Sequence, residues 1–151
     1  MKQHNGDIHF HYLYKGFYFP DRKRLKAFLL FQLKKERREV QTINYIFCDD
    51  DYLSQMNQQY LNHDTLTDII TFELSTKGQP LLSDIYISVE RVKENAAAFG
   101  VPFSSELKRV IFHGALHLTG YKDKKKTDQA IMRKKEEEWL SSYVVSRNTV
   151  S

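Results

Sequence analysis

Between residues 107 and 118 apolar side chains are almost continuous: Leu107, Val110, Ile111, Phe112, Leu116 and Leu118. That is too apolar for a half-wet surface helix and predicts one buried on most sides. The remaining pattern arranges itself around it. Residues 8–19 carry Ile8, Phe10, Tyr12, Tyr14, Phe17 and Phe19 and read as one or two strands ending at Pro20. His9 and His11 alternate with them, as polar residues on the wet side of an edge strand do. Leu25, Phe28, Leu29 and Leu33 mark the inner face of a helix over residues 22–38, with Asp21 as its cap. A strand over residues 42–48, a helix from 49–51 to about residue 60, a strand reaching Phe72, a turn at 76–80 and a strand at 82–89 follow. Residues 90–99 form a helix with Val92, Ala96 and Phe99 inward, stopped by Gly100. Pro102 and Ser104 open the central helix, with a serine as cap. A last helix begins at Thr127 or Asp128, with Ile131, Trp139, Leu140 and Tyr143 inward and Lys134, Lys135, Glu136, Glu137 and Glu138 solvated, before a frayed tail at 146–151. About four strands and five helices in mixed order predict an α+β fold, a small mixed β-sheet covered by helices.

With 151 residues, 41% of them hydrophobic, one domain spanning residues 1–151 has enough apolar surface for its own core. The polar start, Met1 to Asp7, lacks a signal-peptide core, and no apolar run reaches bilayer length, so a cytoplasmic protein with no membrane partner is expected. Cys48 is the single cysteine and has no internal partner for a disulfide. A net charge of +4 permits a polyanionic partner without requiring one. The most basic element is the 22–38 helix, with Arg22, Lys23, Arg24, Lys26, Lys34, Lys35, Arg37 and Arg38. Such a face is ordinarily only solvated, and gains meaning beside a nuclease site.

The central helix carries chemistry. His113 and His117 are four residues apart and share one face, so their imidazoles can converge on a metal ion. Gly120 suits the left-handed residue just past the helix end and folds the chain back. Asp123 then lies within reach as a third ligand, leaving a fourth position for water. The bare His spacing also suits two core histidines bonded to carbonyls, Asp123 also suits a residue behind the ligands, and His63 or a water is then the third ligand. A zincin metalloprotease is disfavoured because Gly114 stands where its general-base glutamate would be.

The run His113-Gly114-Ala115-Leu116-His117-Leu118-Thr119-Gly120-Tyr121 resembles the H-G-x-L-H-L-x-G-Y-D-H signature of the YbeY family, metal-dependent endoribonucleases of ribosomal RNA maturation. Lys122 stands at the signature's aspartate, and Asp123 at its third histidine. A second segment is similar at Tyr60, Asp64, Thr67, Asp68 and Phe72, with Leu61 at the family's functional arginine. Ser83-Asp84-Ile85 stands where the family has G-D-I, which makes Asp84 a candidate to orient a metal-bound histidine. The resemblance runs with gaps from about residue 42 to 140. It implies a single-strand-specific, zinc-dependent endoribonuclease involved in late 16S rRNA 3′ end maturation and ribosome quality control. One zinc ion per chain is expected on His113, His117 and Asp123, where its bound water is the only catalytic group implied. Single-stranded RNA, ribosomal RNA or a ribosomal subunit is the expected partner, with Lys122, Lys124, Lys125 and Lys126 as backbone contacts. With Leu61 and Asp123 at altered positions, a non-catalytic, metal-stabilised RNA-binding ribosome-assembly factor is the alternative.

Overall fold

The computed structural model describes residues 6–61 and 67–149. The element order is β1 (Asp7–Tyr12), α1 (Arg22–Lys35), β2 (Val40–Cys48), α2 (Asp50–Leu61), β3 (Ile69–Glu73), β4 (Leu81–Ser88), α3 (Val89–Phe99), α4 (Phe103–Leu118) and α5 (Lys126–Thr149). The four strands form one mixed sheet in the order β1-β2-β4-β3. β1, β2 and β4 run parallel, and β3 pairs antiparallel with β4. This is the α+β architecture the pattern predicts.

Side chains alternate across the sheet, and its two faces differ accordingly. Ile8, Ile43, Tyr45, Phe47, Leu81, Ile85 and Ile87 point to one face and join Leu25, Leu29 and Leu33 of α1 and the apolar stripe of α4 in the main core. The other face holds a smaller cluster of Cys48, Leu53 and Ile70, backed by Met56, Phe72 and Tyr86, under α2. His9 and His11 on that face are exposed. Burial pushes the Cys48 thiol up to about 12, with Asp49 and Asp50 adding to it, so it is an inert core side chain.

α4 lies close against the sheet because Gly114 has no side chain. A Cβ there would stand 3.0 Å from Ile69 Cδ1 and 3.2 Å from Ile85 Cδ1. Tyr45 Oη donates to the carbonyl of Ile111 (2.9 Å), fixing the helix along its length. The helix ends as Gly120 predicts. Its φ is +108°, its N–H donates to His117 O (3.1 Å), and Tyr121 N–H donates to Leu116 O (3.3 Å), the two bonds of a Schellman turn. Arg38 Nη1 adds a bond to Leu118 O (3.1 Å), so α1 helps close the last turn of α4.

Several expectations are corrected. The first strand stops at Tyr12, where Leu13 and Tyr14 both donate to Phe47 O and end the ladder. The later aromatics, Phe17 and Phe19, fold back as rings onto Phe47 and Phe10 at 5.1 and 5.8 Å. Asp21 does not cap α1 with its side chain. Its carboxylate accepts from Arg24 (2.8 Å) and the Tyr143 hydroxyl (3.1 Å) instead. No serine caps α4, which opens at Pro102. Phe99 is exposed, since the chain leaves α3 one residue later at Gly100, φ +68°. The buried stripe of α5 is Met132, Glu136, Trp139 and Tyr143, which leaves Ile131 outside and takes Glu136 inside. α5 also continues to Thr149.

Gly120→Ala is expected to cost about 1–3 kcal/mol, because an L side chain rarely adopts that φ. Urea denaturation measures it; an unchanged midpoint would show that the turn relaxes without strain.

Candidate metal centre

His113 projects from the middle of α4 with both ring nitrogens engaged. Nδ1 faces Glu136 Oε2 at 2.6 Å and Nε2 faces Asp123 Oδ2 at 3.0 Å. Glu136 comes from the buried stripe of α5 and is 1% exposed. Its other oxygen accepts from Arg109 Nη1 (2.9 Å), and Arg109 Nε donates to Glu106 Oε1 (2.9 Å). Arg109 Nη2 also donates to Glu106 Oε2, which completes a two-point pair with a carboxylate that is 3% exposed. One connected row of side chains therefore runs Glu106, Arg109, Glu136, His113, Asp123.

Burial and charge act against each other on these groups. Burial works against the Arg109 cation, but its bonds to Glu106 and Glu136 and their charges outweigh that and raise its pKa. Burial likewise opposes the His113 imidazolium, and the bond and charge of Glu136, followed by Asp123, outweigh it and raise that pKa. Asp68, just ahead of β3, has its carboxyl raised by desolvation against the pull of Arg109 and His113, so it lies within their electrostatic reach.

Asp123 is brought to His113 by the Gly120 turn, and Gln129 Nε2 pins that turn by donating to Asp123 O (3.1 Å). Around the pair opens a hollow of about 360 Å³ lined by Arg109, His113, Asp123, Gln129, Met132, Arg133 and Glu136. A larger surface hollow of about 830 Å³ lies between Arg37, Arg38, Glu39, Glu73 and Lys77, and among the described residues no histidine or cysteine lines it.

One pair of donors has nearly the spacing of two ligands on a single ion. Two ligands each about 2.0–2.2 Å from one tetrahedral ion stand roughly 3.3–3.5 Å apart, close to the separation of His113 Nε2 and Asp123 Oδ2. A buried carboxylate on the far nitrogen of a ligating histidine fixes its tautomer and orientation, which is the place Glu136 takes. His117, one turn further along α4, is exposed. Among the described residues no three His, Cys, Asp or Glu side chains converge as a ready metal-holding group.

Of the other residues singled out from sequence, Lys122, Lys124, Lys125 and Lys126 are exposed on the turn around Asp123 and at the start of α5. Asp84 is not a partner of His113. It accepts from Asn44 Nδ2 (3.1 Å), and Asn44 in turn meets His11 (3.0 Å). Strand alternation puts Ile85 toward α4 and Asp84 on the opposite face, so Glu136 stands where Asp84 was sought. Leu61 ends α2 and is 41% exposed, and His63 lies outside the described residues. Sequence reasoning missed Glu106, Arg109 and Glu136. A signal for Glu136 existed, since position 136 is in helical phase with Met132, Trp139 and Tyr143.

Residues 21–144 match the profile of a family described as Endoribonuclease YbeY. Over 113 residues the chain is 58% identical to a Flavobacterium psychrophilum protein named Endoribonuclease YbeY, covering 75% of this chain and 80% of that one. A Flavobacterium johnsoniae protein of the same name is 53% identical over 112 residues, covering 74% and 80%. The solution structure of TM1509 from Thermotoga maritima superposes with a TM-score of 0.65 at 29% identity, covering 94% of this chain and 92% of the other.

Replacing Arg109 by Leu would leave Glu106 and Glu136 buried without their cation. Removing one partner of a buried pair costs about 3–5 kcal/mol, and that loss is expected in chemical denaturation. A loss below about 1 kcal/mol would show that the carboxylates find water or protons instead.

Proposed function

The chain belongs to the YbeY family of endoribonucleases, and on that footing we propose that it is a zinc-dependent enzyme cutting single-stranded RNA. The proposal places it in late 16S rRNA 3′ end maturation and ribosome quality control, with ribosomal RNA or a ribosomal subunit as its cytoplasmic partner. Among the described residues no helix is long and apolar enough to cross a membrane.

The observation that carries this reading is the His113–Asp123 contact, with buried Glu136 behind the imidazole. Glu136 accepts the Nδ1 proton, so Nε2 is the nitrogen presented to the hollow. His113, Asp123 and His117 would hold one zinc ion, which supplies Lewis acidity toward a phosphodiester when bound. Asp123 contributes an anionic oxygen where the family signature has an imidazole, so the site carries one unit less positive charge than with three histidines. The exposed Lys122, Lys124, Lys125 and Lys126 surround the turn that bears Asp123 and are placed to contact RNA phosphates. Arg38, in the segment that follows α1, touches the carbonyl of Leu118 at the end of α4 and adds to that field.

Incubating the zinc-loaded protein with matched single-stranded and duplex RNA tests the reading. Cleavage of the single strand alone is expected. Bound but intact RNA would favour a non-catalytic assembly factor, the reading that Leu61 and Asp123 keep open.

Two predictions concern the metal. By elemental analysis the parent is expected to carry one zinc ion per chain and the double variant His113→Ala, His117→Ala none; equal zinc in the two would remove these histidines from the site. Asp123→Ala should weaken zinc binding by more than about tenfold while Asp123→His retains it, as read by competition with a chelator. Unchanged affinity in the alanine variant would place Asp123 outside the coordination shell.

A further inference from the structure

Two guanidinium groups line the hollow that holds His113 and Asp123, and they differ in how far their donors are spent. Arg109 gives Nε and Nη2 to Glu106 and Nη1 to Glu136, so it has no paired edge left to offer a ligand. Arg133 is different. Its side chain is 54% exposed, and its ion pairs are long: 4.0 Å to Glu136 and 3.7 Å to Glu137. Both exceed hydrogen-bond length, and Glu137 is itself 68% exposed, so solvent screens that pair. Glu136 already accepts from Arg109 and His113 at 2.9 and 2.6 Å, so its charge is largely matched without drawing Arg133 closer.

Helix geometry aims Arg133 correctly. It follows Met132 and precedes Glu136 by three residues, so it lies on the flank of α5 that borders the hollow. The lysines of the adjacent turn do not line the hollow, and an ammonium offers no planar pair of donors. A phosphodiester entering here meets the carboxylate of Asp123, which repels it, so a cation with unspent donors in the same wall is what the ligand chemistry requires.

We propose that Arg133 is the residue that grips the RNA backbone in this hollow, directing two N–H groups at the two non-bridging oxygens of one phosphate. This rests on the endoribonuclease reading and adds the residue that positions its substrate. The contact costs Arg133 only its loose pairings with Glu136 and Glu137.

The test uses the full zinc-loaded chain, its Arg133→Gln and Arg133→Lys variants, and a fluorescent single-stranded RNA oligonucleotide. Anisotropy across a salt series gives affinity and its salt slope, and a separate assay gives KM and kcat. Arg133→Gln is expected to raise Kd and KM roughly tenfold and to lower the salt slope by about 0.7. Arg133→Lys should restore the slope, since the charge remains, without restoring the affinity, since the paired donors do not. Zinc content and melting temperature should match the parent in both variants. A glutamine variant with unchanged Kd and slope overturns the proposal, and a lysine variant equal to the parent overturns the paired contact. If the parent binds RNA without cutting it, the endoribonuclease reading fails while the binding comparison still decides Arg133. If the parent binds no RNA, both fall.

Discussion

A carboxylate that is 1% exposed cannot remain charged without partners, and Glu136 has two, one on each oxygen. Much of the site depends on that requirement. Arg109 must sit where it does to match Glu136, and Glu106 must then hold the rest of the guanidinium. The second oxygen of Glu136 needs an N–H, and His113 Nδ1 provides it, which turns Nε2 outward to Asp123. Aromatic packing delivers the carboxylate to this place. Trp139 lies 5.7 Å from Phe112 and Tyr143 lies 5.1 Å from Phe28, so α5 docks by its rings against α4 and α1, one turn from Glu136.

The sheet sets the other side of the site. Gly114 lets α4 settle onto Ile69 and Ile85, so the residue before it, His113, rises from a helix whose height over the sheet is fixed by contact. The turn carrying Asp123 is then held from outside. Arg37 adopts a positive φ of 61°, a conformation disfavoured for any side chain, at the C-terminal turn of α1, where its N–H donates to Lys34 O. Arg38, leaving that turn, reaches Leu118 O. Glu36 beside it accepts from Lys135 at 3.0 Å and from the Tyr121 hydroxyl at 3.4 Å. Backbone strain at the residue just past the cap of α1 is thus accompanied by contacts that tie the end of α1, the Asp123 turn and α5 together.

Local rules carried the sequence reading furthest. The apolar run of α4 and the Gly120 turn that brings the chain back after it depend on helical spacing and on one glycine, so they are legible. Tertiary partners are not. Glu136 looks solvated when counted among Lys134, Lys135, Glu137 and Glu138, and only its phase with Met132, Trp139 and Tyr143 separates it from them. Asp84 failed because one strand step selects the face of a sheet, and proximity in a motif does not show which face a carboxylate takes. Phe17 and Phe19 were read as strand because aromatic residues favour strands, whereas here they serve ring packing across the core.

Charge is divided in a way that bears on RNA binding. Residues 15–38 carry nine lysines and arginines against two carboxylates, so this stretch alone exceeds the net charge of +4 of the whole chain. Lys15, Lys23, Lys34, Lys35 and Arg37 within it are exposed. The candidate centre is the reverse, with Asp68, Glu106, Asp123 and Glu136 set about Arg109 and His113. A polyanion is therefore attracted to α1 over distances comparable to the Debye length, about 8–10 Å at ordinary ionic strength, but meets carboxylates as well as guanidinium groups at the hollow itself. Bringing RNA to the protein and admitting one phosphate to the centre are separate tasks here. The basic surface can perform the first at any of several phosphates, but the second needs added positive charge and an unspent donor within the hollow.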